Sequence, residues 1–141
     1  MKLVLDASMA LAWIFERVDP QENARADQLL EAMIGLEVGV PVLWHTEVAN
    51  ALLVAERRNV VTQAQVIDYL HRLSRLPIET DALTVASRRD FVMALGREHR
   101  LSAYDATYLE LTLRTGSVLA SFDAKLVEAA RQAGASIYDS A

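Results

Sequence analysis

Four acidic residues stand where carboxylates can do joint chemistry: Asp6, Glu47, Asp105 and Asp123. Asp6 ends a short β-rich run, Lys2–Leu5, and Asp123 follows the apolar run Ser117–Ser121. Both therefore belong at the carboxyl ends of strands. Glu47 and Asp105 stand near the starts of helices that could point at the same edge. In open parallel α/β sheets, ligands bind in the crevice at that edge. Acids gathered there would repel one another, by about 4 kcal/mol for two charges ~4 Å apart at an effective dielectric near 20. A divalent cation reverses the sign. Oxygen-only ligands suit a hard ion, Mg²⁺ or Mn²⁺.

Each acid also has a purely structural explanation. Asp6 and Asp123 can cap helices. Asp105, three residues after Ser102, resembles a capping box with aspartate in the glutamate's place. Glu47 reads as a first-turn acid favoured by the helix dipole. Three neighbours can support the set. Ser8 and Ser121 offer hydroxyls that orient a ligand or water, or else act as caps. Asn50 lies three residues after Glu47, on nearly the same helical face.

The elements that must position these residues follow from periodicity. Helices are predicted over Ser8 to Phe15, from Pro20 to Leu36, Trp44 to Arg58, from a Thr62 cap to Leu76, Leu83 to His99, from a Ser102 cap to Gly116, and from Asp123 to Gly134. Strands are predicted at Lys2–Leu5, Val38 to Leu43, Ser117–Ser121 and Ser136–Tyr138, with a brief strand or connection at Pro77–Thr80. Pro41 suggests that the second strand is short or at an edge. Strands alternating with helices imply an α/β/α sandwich around a central, mainly parallel sheet. No linker or repeat interrupts the chain, so one domain over residues 1–141 is expected.

Composition closes off other chemistries. The absence of cysteine excludes thiol catalysis, disulfides and cysteine-ligated zinc. The longest early apolar run, Met9 to Phe15, is far short of the ~20 residues that span a bilayer. A soluble, cytoplasmic protein is expected, with no membrane partner. His45, His71 and His99 form no H-E-x-x-H pair. Neither a G-x-S-x-G motif nor a glycine-rich loop is present. The net charge of −5 looks unsuited to nucleic acid, but setting four of the 19 acids aside leaves the rest nearly balanced against 14 basic residues. Twelve of those 14 are arginine, in pairs such as Arg57–Arg58 and Arg88–Arg89. Arginine's planar fork matches phosphate, although any single arginine also serves as a solvated surface charge.

The segments LVLDAS, WHTEVANAL, LSAYDATYLELT and LASFDAKL together resemble the PIN domain, and in arrangement and length the VapC toxins of toxin–antitoxin pairs. The resemblance runs from Leu3 to Tyr138. By position, Asp6, Glu47, Asp105 and Asp123 match the family's four acids, and Ser8 and Ser121 match its hydroxyl positions. The resemblance implies a PIN-like fold and a Mg²⁺-dependent endoribonuclease leaving 5′-phosphate and 3′-hydroxyl ends. It also implies inhibition by a small VapB-like antitoxin, a homodimer, and contact with operator DNA only through the antitoxin. Asp6 and Asp105 would be the central ligands, with Glu47 and Asp123 completing the site. Two alternatives remain at this point. One is a non-catalytic metal-binding interaction module, with the helices from Pro20 to Leu36 and Thr62 to Leu76 as its surface. The other is an aspartyl phosphatase, against which Ser8 stands where a second aspartate is usual.

Overall fold

The computed structural model of the chain describes residues 1–139. Strand β1 (Lys2–Leu5) carries Leu3, Val4 and Leu5, all essentially without solvent contact. A strand buried on both faces must lie inside the sheet. It pairs in parallel with β2 (Glu37–Val40) on one side and β4 (Val118–Ala120) on the other. Strand β3 (Ile78–Thr80) adds outside β2, giving the order β3-β2-β1-β4, all parallel.

Seven α-helices among the described residues connect and flank these strands: α1 (Ala7–Leu11), α2 (Pro20–Ala32), α3 (Val42–Arg57), α4 (Gln63–Leu73), α5 (Val85–His99), α6 (Ala103–Thr115) and α7 (Ala124–Gln132). The chain steps outward from β1 to β2 to β3, then crosses back to place β4 beside β1. Right-handed crossovers put the helices of that return on the opposite face. Packing of α1 on α3, and of α6 on both α5 and α7, agrees with such layering. The α/β/α sandwich expected from the sequence is therefore the fold.

Local chemistry explains most boundaries. Thr62 and Gln65 form a reciprocal capping box at α4. Asp19 caps α2 ahead of Pro20, which fits the first helical turn. Gly116 and Gly134 end α6 and α7 at φ 63° and 87°, a region glycine enters without steric cost. Two side chains lock helices together: Tyr69 Oη donates to the Ala10 carbonyl at 2.6 Å, and Trp13 Nε1 to the Ala26 carbonyl at 2.8 Å.

Several boundaries depart from the sequence expectation. Helix α1 stops at Leu11 and continues to Phe15 only as turns, with Trp13, Ile14 and Phe15 packed on the core. The second helix ends at Ala32, and Met33–Gly35 tightens into a 3₁₀ turn. Strand β2 is interior and ends at Val40, not at Leu43; Pro41, lacking an N–H for the ladder, instead occupies the cap position of α3. The final strand reduces to one parallel bridge, Ile137 to Leu119.

Candidate active site

The strand order sets where a ligand can enter. Connections from β1 and β4 leave in opposite directions, so the crevice opens between their carboxyl ends. Asp6 stands at the end of β1, its N–H continuing the ladder to the Ala120 carbonyl at 2.9 Å. Ser121 and Asp123 follow β4.

Asp6 is buried, yet no basic side chain is hydrogen-bonded to it among the described residues. Its Oδ2 instead accepts from both Ser8 Oγ and Ser121 Oγ at 2.6 Å. The hydroxyls are themselves fixed: Ser8 Oγ accepts from Phe122 N and Ser121 Oγ from Asp123 N, each at 2.9 Å. Asp6 occupies the cap position of α1, but its side chain makes no cap bond. Capping therefore does not account for it.

The other structural explanations divide. Asp123 does cap α7, accepting from Leu126 N at 3.0 Å through Oδ1; its second oxygen carries no such bond. Ser102 Oγ accepts from Asp105 N at 3.1 Å, but the Asp105 carboxylate gives nothing back, so the capping box is half made and both its oxygens stay free of hydrogen bonds. Helix α3 starts at Val42, earlier than the expected Trp44. Glu47 thus lies in the second turn, past the reach of the first-turn dipole argument. Its Oε1 accepts from Tyr108 Oη at 2.5 Å.

Electrostatics tie the four together, for every pair among them interacts. Burial raises the Asp6 carboxyl above its ordinary pKa, and the charge of Asp123 adds to this against the bonds from Ser121, Ser8 and the Ala7 N–H. Burial also raises Glu47, helped by Asp6, Asp105 and Asp123 and opposed by the Tyr108 bond. Asp105 is pushed up to about 6, first by burial and then by Asp123 and Asp6, with Lys125 countering weakly. The buried Tyr108 hydroxyl is driven far above its usual range and stays protonated. Among the described residues, no three such side chains stand close enough together to hold a metal ion as they are. The four face one another across the crevice without closing a cage.

That donor set fits a divalent cation. It consists of oxygens alone and, among the described residues, offers unbonded oxygens on Asp105, Glu47 and Asp123 and has no hydrogen-bonded base to cancel its charge. The three histidines stay apart: His45 pairs with Thr80, His71 with Arg75, and His99 lies beside Glu98. Asn50 is exposed on α3 one turn beyond Glu47, without a side-chain hydrogen bond among the described residues. The sequence reading did not single out Tyr108, although its place three residues after Asp105 on one helix was visible. Its partner on α3 was not.

The fold is an open parallel α/β sheet with mutually repelling carboxylates at its switch point. The chain belongs to the PIN domain family, whose profile matches residues 3–132 and whose members are generally nucleases. It is similar to the crystal structure of PAE2754 from Pyrobaculum aerophilum, at 24% identity and TM-score 0.68, over 98% of this chain and 84% of that one. It is also similar to the crystal structure of FitAcB from Neisseria gonorrhoeae, at 16% identity and TM-score 0.61, over 97% and 96% of the two chains. At these identities the likeness speaks to the fold. No curated protein matches the sequence.

Proposed function

We propose that this protein is a Mg²⁺-dependent endoribonuclease of the VapC type, the toxic partner of a toxin–antitoxin pair, with Mn²⁺ able to replace Mg²⁺. The observation that carries the reading is the set of four acids at the β1/β4 crevice, all mutually repelling and, among the described residues, none hydrogen-bonded to a basic group. When bound, the cation supplies an activated water and neutralises a phosphate oxygen. Asp6 and Asp105 are its central holders, and Glu47 and Asp123 complete the site directly or through water. Ser8 and Ser121 fix the orientation of Asp6, and Asn50, exposed one helical turn beyond Glu47, would meet substrate.

A cleft of about 230 Å³ beside Ser121 is lined by Phe122, Tyr138, Arg25 and Arg131 together with the acidic Glu22 and Asp139. Arg25 is paired with Asp139 at 3.3 Å, which leaves Arg131, among the described residues, as the arginine open to a phosphate. Arginines suit phosphate and aromatic rings suit stacked bases, which supports a single-stranded RNA substrate. Exposed apolar side chains on the two helices named above as an interaction surface support antitoxin docking there: Leu30 on α2, Ile34 just beyond it, and Ile67 and Leu70 on α4. No described helix is long and apolar enough to cross a membrane. A cytoplasmic homodimer that reaches operator DNA only through its antitoxin completes the proposal.

The test is cleavage of total RNA with metal, with chelator, and with Asp6→Asn or Asp105→Asn. Removing a ligand should cost more than the ~100-fold seen when outer-shell partners of metal sites are lost. Full metal-dependent cleavage by either variant would overturn the assignment. Tight binding of a small partner without any cleavage would leave an interaction module instead.

A further inference from the structure

Tyr108 is fully buried, three residues after Asp105 on α6. That spacing puts the two side chains on one helical face. A buried tyrosine needs a partner for its hydroxyl, and a backbone carbonyl is enough, as Tyr69 shows with Ala10. Tyr108 takes a different partner. Its hydroxyl crosses to α3 and donates to Glu47 Oε1 at 2.5 Å. A carboxylate can only accept, so the phenol must donate, and a bond to an ionised acceptor is of the strong, short kind. The tyrosine is itself pinned, with Thr112 Oγ1 donating to its carbonyl at 2.8 Å.

We propose that Tyr108 is a positioning residue that occupies Glu47 Oε1 and turns the other oxygen, Oε2, toward a divalent cation, so that Glu47 serves through one oxygen. This rests on the metal-site reading above. Chelation through both oxygens would have to break the bond to Tyr108. One helix then sets two ligands: α6 supplies Asp105 directly and orients Glu47 through Tyr108.

The experiment is Mn²⁺ binding to the RNA-free full chain, followed by calorimetry, for wild type, Tyr108→Phe, Glu47→Gln and the double variant. Tyr108→Phe should weaken Mn²⁺ binding about tenfold, the lower end for outer-shell partners. In the double variant the loss should not exceed that of Glu47→Gln alone, because the tyrosine acts through the glutamate. A thermal melt of each protein separates this from unfolding. If Tyr108→Phe does not fold, Glu47→Asp draws the carboxylate back from the hydroxyl while keeping its charge, and should weaken binding similarly. Wild-type affinity in Tyr108→Phe, or losses that simply add in the double variant, would overturn the proposal. In the Glu47→Asp arm, wild-type affinity does the same. A wild-type chain that binds no Mn²⁺ removes the metal-site reading itself, and this inference with it.

Discussion

Asp6 and Asp81 each follow a strand of the same parallel sheet, at the same edge, yet they end in opposite electrostatic states. Asp81 follows β3, with its N–H bonded to the Val40 carbonyl at 2.8 Å. Arg114 meets it at 2.6 Å and also reaches Glu110 at 2.9 Å, while Arg88 bonds Glu110 at 3.0 Å. Burial pushes the Asp81 carboxyl up, but the Arg114 bond, the Leu83 N–H and the two arginine charges outweigh it and hold it below its ordinary value. Asp6 has two hydroxyls, the Ala7 N–H and other acids around it, with no bonded base among the described residues, and its carboxyl is raised. Position after a strand does not make a site; the sign of the neighbours does. The Asp81 group is electrically complete and braces the fold. The Asp6 group is left with uncompensated negative charge, which the proposed cation would balance. Helix α6 belongs to both, with Glu110 and Arg114 anchoring one end and Asp105 offered at the other.

The sharpest way to break this comparison is to remove one charge from each group. Arg114→Met strands the buried Glu110 and Asp81 with fewer partners, which should cost about 3 kcal/mol. For a domain of this size the melting temperature should fall by roughly 10 °C. Asp105→Asn relieves repulsion instead, so the metal-free protein should melt at the same temperature or higher. A loss comparable to that of Arg114→Met would mean that the two groups are not different in kind.

A smaller effect is expected from pH. The folded chain holds the Asp105 proton up to about pH 6, whereas an unfolded aspartate loses it near pH 3.9. Between those values the folded state binds more protons, so stability falls as pH rises through the window. In chelator, the melting temperature should therefore be higher near pH 5 than near pH 7, and Asp105→Asn should flatten the difference. The Asp81 carboxyl, shifted the other way, stabilises the fold above about pH 4 and loses that contribution only as pH drops further. A metal-free protein whose stability climbs steadily from pH 5 to pH 7 would contradict the assigned sign. The smallest effect belongs to Ser121→Ala. It leaves Asp6 with the Ser8 hydroxyl, and should lower stability by about 1 kcal/mol and Mn²⁺ affinity by roughly tenfold.

Much of this arrangement was readable from local sequence. The caps at Thr62, Ser102 and Asp123, and the glycines that end α6 and α7, depend on a few adjacent residues. The alternation of apolar runs with amphipathic helices required a wrapped parallel sheet, and that sheet placed Asp6 and Asp123 at its carboxyl edge. The sequence also marked Glu47 and Asp105 as helix-borne acids able to join them.

What lay beyond it were the partners. Arg88, open in the sequence to either a phosphate contact or a solvated surface charge, does neither and is spent on Glu110. Asp81 has the same local setting as Asp6, and only Arg114, contributed by α6, tells the two apart. Nothing near Tyr108 in sequence marks its role, which emerges only where α3 brings Glu47 to its hydroxyl. Caps and strand ends are decided within a turn or two of chain. Whether a carboxylate is neutralised, clamped or left open to a cation depends on side chains that are distant in sequence and meet only once the layers have packed.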